Sequence, residues 1–333
     1  MNFIFYCIVK FITILSSRLK IKFFSKLFNI LNNEDQDYFF SYNFRKKFFK
    51  KKKLNQKRKS KNKSKISIII QGPIIRRHNF TLNTINLYLE NCSSQIILST
   101  WENELNRDEE KKLKKLGVEV IISKIPEISG PMNLNLQIAS TFQGLKLSKK
   151  LNNNFSIKTR SDCRIYLKNF ELNIFNYFSF FKKTNNLTKF VSTSFTIDKR
   201  LYGISDFVMF GKTSDLINYF DNSNIIQKIK NFDDFLKSFK NKKKLFGNVD
   251  LKIYPENFLC YNFVKKNISS KIKYNSKDYY KILKKFFLIL DNSSLDLFWY
   301  KYDHQYEYRD KNFGDIKGNK DAHLSFFNWL NLK

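Results

Sequence analysis

An α/β domain built on a mostly parallel sheet is the fold class this sequence predicts. Three observations predict it: short β-branched apolar runs, helical segments of ten or more residues between them, and polar groups where each run stops. Strands that alternate with helices form βαβ units, whose crossovers leave neighbouring strands parallel. The first run, "ISIII", reads as a strand buried on both faces and breaks at Gln71-Gly72-Pro73. "NFTLNTINLYLENC" follows at helical spacing, then "QIILST" as a second strand and "ENELNRDEEKKLKKL" as a charged surface helix. "VEVIIS" is a third strand, "MNLNLQIASTFQGLKLSKK" a helix, and "FSIKTR" a fourth strand.

The 333 residues, 42% of them apolar, suffice for one substantial core with appendages. A formal net charge of +32 suggests a nucleic-acid or anionic-membrane partner at first sight. Lys, Asn, Ile, Phe and Tyr are inflated together, however, as a coding bias would produce. Much of the excess also sits in Arg45 to Lys65, a block without an acidic residue. Such a block repels itself and buries little, so it reads as a tether that closes an N-terminal segment, 1–65. The apolar start of that segment is interrupted by Lys10, too early for a spanning helix of ~20 residues. Two readings stand: an interfacial segment on an anionic membrane surface, or a helix packed on the domain. No zinc-finger, RRM or helix-turn-helix pattern supports specific nucleic-acid binding. Cys7, Cys92, Cys163 and Cys260 are scattered without a C-x-x-C pair, which suits a reducing cytoplasm, with the chain peripheral on the inner membrane in the first reading.

In parallel sheets ligands bind beyond the carboxyl ends of the strands. Here those ends carry Gln71-Gly72-Pro73, Ser99-Thr100-Trp101, Ser123-Lys124 and Arg160-Ser161-Asp162. Trp101, expected to be exposed, would stack on a nucleobase or else pack in the rim. No G-x-G-x-x-G follows the first strand and no G-x-x-x-x-G-K-[ST] occurs, so a dinucleotide or P-loop phosphate cradle is excluded. A diphosphate then needs another neutraliser, such as Mn²⁺ or Mg²⁺ on a strand-end carboxylate. Asp162 stands where that ligand should be; equally, it could pair with Arg160 or cap the next turn. In the helix before it, Gln137, Thr141 and Gly144 share one stripe and Ile138, Phe142 and Leu145 another. The apolar stripe is expected in the core, with Asn135 and Gln137 free to read hydroxyls of a donor.

Six segments in order carry a resemblance: "ISIIIQGPI" (66–74), "QIILSTWE" (95–102), "NLQIASTFQGL" (135–145), "IKTRSD" (157–162), "ISDFVMFG" (204–211) and "PENFLCYNF" (255–263). Together they resemble the WavE family of lipopolysaccharide core biosynthesis proteins over residues 66–290, which leaves 291–333 as an aromatic-rich extension packed on the domain. The resemblance implies a glycosyltransferase with a GT-A-like nucleotide-binding αβα sandwich, a mixed, mostly parallel sheet and an acidic metal motif after the fourth strand. It also implies a nucleotide-sugar donor and a lipid-linked saccharide acceptor, with Gln71, Gly72, Pro73, Ser99, Thr100 and Trp101 at the nucleoside. The acidic motif of this fold is usually two Asp residues one apart. Ser161-Asp162-Cys163-Arg164 offers one, which leaves two routes open: Asp162 holding Mn²⁺ or Mg²⁺, or Lys158, Arg160 or Arg164 balancing the diphosphate directly.

Sugar transfer with inversion needs a carboxylate base on the acceptor hydroxyl. Asp206, in "GISDFVMFG", is narrowly preferred over Glu256, in "YPENFLC", because the apolar "FVMF" should hold it rigidly. Arg200 is a candidate phosphate clamp. Competing readings are a metal-independent sialyltransferase-like enzyme and a non-catalytic basic protein that binds membrane or nucleic acid.

Overall fold

The computed structural model describes residues 2–34, 65–196, 200–221, 255–302 and 323–332. The chain divides into two compact units, Met1–Lys47 and Phe48–Lys333. In the first, α1 (Asn2–Ile14) and α2 (Ser17–Glu34) leave Phe11, Ile14, Leu19 and Ile30 exposed beside Lys10, Arg18 and Lys22. Among the described residues no helix is long and apolar enough to cross a membrane. The basic block from Arg45 lies outside the described residues, apart from Lys65.

In the second unit β1 (Ile66–Gln71), β2 (Gln95–Trp101), β3 (Glu119–Ser123) and β4 (Phe155–Arg160) are parallel, in the spatial order β3-β2-β1-β4. These are the four strands expected from the apolar runs. The sheet continues from β4 through β7 (Met209–Lys212) and β6 (Phe190–Thr193) to β8 (Phe287–Leu290). β7 is antiparallel to both its neighbours and β8 is parallel to β6, so β7 is the one strand reversed in a mixed, mostly parallel seven-stranded sheet. Every side chain of β1 is buried although successive residues point to opposite faces, so both faces are covered. A small antiparallel pair stands apart, β5 (Cys163–Ile165) with β9 (Leu297–Trp299), in which Cys163 faces Trp299. That pairing ties the segment after β4 to the C-terminal extension.

Local chemistry explains the helix bounds. α3 (Phe80–Asn91) follows β1. α4 (Arg107–Lys115) starts later than its charged run suggests, because Asn106 caps it: the Asn106 Oδ1 accepts from the Glu109 amide at 2.9 Å and the Glu109 carboxylate accepts from the Asn106 amide at 3.1 Å. α5 (Leu134–Lys150) packs on β1 and β2, with a face that differs from the expected one. Thr141 and Gly144 are buried together with Ile138 and Leu145, while Phe142 is only partly covered and lies 4.4 Å under the Lys146 ammonium. The reason is space: a Cβ on Gly144 would come within 2.5 Å of Ile69 Cγ2, so the small residues allow helix and sheet to approach. Further on come α6 (Phe170–Thr184), α7 (Thr213–Phe220), α8 (Pro255–Asn267), α9 (Ser276–Phe286) and α10 (Phe326–Leu330). At the amino edge of the sheet the buried hydroxyls of Ser67, Ser148, Ser156 and Thr213 bond to one another at 2.6–3.0 Å.

Candidate active site at the carboxyl edge of the sheet

The carboxyl ends of β1, β2 and β4 are stitched together by main-chain bonds. The Gly72 amide donates to the Ser99 carbonyl at 3.1 Å and the Ser161 amide to the Gln71 carbonyl at 2.9 Å. Gly72 has φ +114°, and a Cβ there would meet Ser161 Oγ at 2.9 Å, so a residue without a side chain is required. The Ser140 hydroxyl donates to Gln71 Oε1 at 2.7 Å, which fixes the amide with its oxygen turned toward α5. Ser99 donates its hydroxyl to the Ser140 carbonyl at 2.7 Å, and Pro73 is exposed. Gln71, Gly72, Ser99 and Ser161 thus form one connected corner.

Three sequence candidates sit differently from expectation. Trp101 is only 4% exposed, so its indole belongs to the interior rather than to an open stacking platform. Asn135 is buried and donates to the Ile128 carbonyl at 3.0 Å, pinning the loop after β3. Arg164 is buried too, bonded to Thr84 Oγ1 at 2.9 Å and the Phe80 carbonyl at 2.9 Å and lying 4.2 Å over the Phe80 ring. Gln137 is half-buried, and its Nε2 has no hydrogen-bond partner among the described residues; the same holds for the buried Thr100 hydroxyl.

Two ion pairs follow each other on β4. Lys158, wholly buried, reaches across to Asp206 Oδ2 at 2.5 Å and to the Asp206 carbonyl. Burial pulls the Lys158 pKa down, with the charge and hydrogen bond of Asp206 opposing. Arg160 grips Asp162 with a fork, Nε to Oδ1 at 2.8 Å and Nη2 to Oδ2 at 2.9 Å. Trp299 Nε1 adds a third bond to Asp162 Oδ2 at 2.9 Å. Burial alone would raise the Asp162 pKa; the Arg160 charge, that fork and the indole bond overcome it and hold the carboxyl below its usual value. The guanidinium lies 4.6 Å from the Phe207 ring centre and 5.7 Å from that of Trp299. Trp299 and Phe207 are the neighbours of this pair that the sequence did not single out; the aromatic run "LFWYKY" holds the first and "DFVMF" the second.

Glu256 completes the group at the first turn of α8. Its Oε2 is buried without a hydrogen-bond partner among the described residues. Burial and then the negative charge of Asp206 push its pKa up to about 7, against its own amide, Arg200 and Arg160. The aliphatic stem of Arg200 lies against Gly203, where a Cβ would come within 2.7 Å of it. Asp206, Glu256, Arg200 and Arg160 therefore share one electrostatic neighbourhood. A carboxyl that titrates near neutrality beside two guanidinium groups can take a proton while an anion is held.

A family model described as WavE lipopolysaccharide synthesis matches residues 66–295. Among solved structures the chain is similar to a cytidylyltransferase from Leptospira borgpetersenii serovar Hardjo-bovis, at 15% identity and a TM-score of 0.35, over 72% of this chain and 84% of that one. It is also similar to the apo form of the glycosyltransferase GlyE of Streptococcus pneumoniae, at 10% identity and a TM-score of 0.33, over 62% of this chain and 45% of that one. At those scores neither likeness bears on the chemistry. No curated protein matches the chain.

Proposed function

The chain belongs to the WavE lipopolysaccharide synthesis family, and on that premise we propose that it is a GT-A-like glycosyltransferase. It moves a sugar from a nucleotide-sugar donor to a hydroxyl of a lipid-linked saccharide, in the lipopolysaccharide core or another surface glycan. The observation that carries this reading is the forked Arg160–Asp162 pair at the carboxyl end of β4, where a parallel sheet receives its ligands, with Glu256 feeling the charge of Arg160 and Arg200. Gln71 supports a nucleoside pocket, since its amide is held by Ser140 at the carboxyl end of β1, with Pro73 exposed beside it.

In the proposed step the acceptor oxygen bonds to the anomeric carbon as the bond from that carbon to the phosphate oxygen breaks. The hydroxyl proton passes to Glu256 Oε2, and the electron pair leaves with the diphosphate, beside Arg160 and Arg200. One displacement inverts the anomeric centre. Glu256 takes the role for which Asp206 was narrowly preferred in the sequence, because the Asp206 carboxylate is held by Lys158 while Glu256 Oε2 has no hydrogen-bond partner among the described residues. Thermal shift and hydrolysis with a panel of UDP-, GDP-, ADP- and CMP-sugars test the assignment. At least one donor should bind and be slowly hydrolysed, and Glu256→Gln should lower turnover by about 10²–10⁴-fold with donor affinity retained. A panel without any binding would sink the enzyme reading.

We also propose that α1 and α2 hold the protein at the cytoplasmic face of the inner membrane. Exposed Phe11, Ile14, Leu19 and Ile30 suit the headgroup boundary, and no acidic residue precedes Glu34 to oppose Lys10, Arg18 and Lys22. The full chain should sediment with phosphatidylglycerol vesicles and stay in solution with phosphatidylcholine ones; equal binding to both would remove the electrostatic part of the proposal.

A further inference from the structure

The GT-A class implies a divalent cation at the end of the fourth strand, and the residues at that place do not fit one. Asp162 is the carboxylate there, and both its oxygens are taken: Oδ1 by Arg160 Nε at 2.8 Å, and Oδ2 by Arg160 Nη2 and Trp299 Nε1, each at 2.9 Å. Mg²⁺ asks for about six oxygen donors at roughly 2.0–2.1 Å. To bind at Asp162 it would have to displace a guanidinium and an indole, then sit against the positive charge it had displaced. Among the described residues no group of three His, Cys, Asp or Glu side chains is arranged to hold a metal.

We propose that Arg160 takes the cation's part, with its guanidinium as the direct counter-charge for the donor diphosphate and Asp162 as the positioning residue that aims it. The inference rests on the nucleotide-sugar reading above and concerns how that site handles its anion. The fork to Asp162 uses the Nε–H and one Nη2–H, which leaves three N–H donors of the guanidinium without a partner among the described residues. Those donors form the outer edge of a group whose side chain is 30% exposed, at the end of β4 where a parallel sheet receives its ligands. The Phe207 and Trp299 rings confine the guanidinium from the side, so the edge is presented in one orientation. A planar pair of N–H groups matches two phosphate oxygens in a way that a lone ammonium does not. As the anomeric bond breaks, charge grows on the leaving phosphate oxygen, and donors already in place meet it without reorganisation. Lys158 cannot share this work, because its ammonium is wholly buried on Asp206.

Isothermal titration of the full chain with UDP, GDP, ADP and CDP, in EDTA and again in millimolar Mn²⁺, tests the proposal. At least one nucleoside diphosphate should bind with a Kd that differs less than about three-fold between the two conditions. Arg160→Ala should weaken it roughly 30-fold or more, on the scale of losing a buried charge-assisted contact. Added guanidinium ion should restore part of the affinity in Arg160→Ala and none in Arg160→Ala/Asp162→Asn, a distinction that a merely structural Asp162 would not produce. Melting temperatures identify a misfolded variant, and Arg160→Lys, which keeps the charge and loses the fork, then serves instead with an expected loss of about five-fold or more. Binding that needs Mn²⁺ and disappears in EDTA would overturn the inference while leaving the glycosyltransferase reading intact. Wild-type affinity in the Arg160 variants would overturn it too, and no binding of any nucleotide in either condition would remove both.

Discussion

Lys158 and Arg160 stand two residues apart on β4, so their side chains leave the same face of the sheet, yet their ion pairs differ in kind. The Lys158–Asp206 side chains are 0% and 2% exposed; those of Arg160 and Asp162 are 30% and 15% exposed. Register explains the difference. Lys158 lies opposite Met209 of β7, whereas Arg160 lies beyond the last residue that β7 pairs and has its strand partner, Gln71, on β1 alone. A charge enclosed between strands must be neutralised to stay there; one at the open end can be held by a partner and still present donors outward. The first pair lies under the carboxyl edge of the sheet, and the second is the surface that the proposed function would use.

Breaking the buried pair should have the largest effect. Lys158→Met leaves the Asp206 carboxylate buried without its cation, and urea unfolding should show a loss of about 3–5 kcal/mol. Lys158→Met/Asp206→Leu removes both charges and should return to within about 1 kcal/mol of the parent. Arg160→Met should cost less, about 1–2 kcal/mol, since solvent screens that pair and Trp299 still donates to Asp162. Equal losses at the two positions would erase the distinction between the two pairs.

The contrast was only half legible in the sequence. The strands β1 to β4 could be read because their β-branched runs are bounded by polar or turn residues. β8 could not: "KKFFLIL" passes from α9 into the strand with no Gly or Pro between, and an apolar run of that length fits either structure. The pairing of Arg160 with Asp162 was visible as one of three options, since the residues are near neighbours in the chain. That of Lys158 with Asp206 was not, because it spans 48 positions and depends on β7 running back along β4. The same limit hid Trp299, which reaches Asp162 through the β5–β9 pair. Small residues misled in one case: the stripe of Thr141 and Gly144 looked like a surface for ligand, and instead lets α5 lie close on Ile69. Residue size, not polarity alone, decides which face of a helix can meet a sheet.

The sharpest effect on chemistry lies in the pH dependence around Glu256. Its pKa of about 7 comes first from burial and then from Asp206, with Arg200 and Arg160 pulling the other way. As a base it works only ionised, so turnover should rise with pH through about 7 and stand near one-tenth of its plateau one unit below. Stability should run the opposite way. A carboxyl whose pKa is raised by folding binds its proton more tightly in the native state, so its contribution is whole below the unfolded value and is lost as pH climbs through 7. The expected fall from pH 5 to pH 8 is about 2–3 kcal/mol, several degrees in Tm. Asp162, held below its usual range, changes charge far outside that window. Glu256→Gln removes the titrating proton and should flatten both trends together. If the melting curve flattens while the residual rate still climbs through pH 7, the base is another group, and Glu256 is only a buried carboxyl that the fold tolerates.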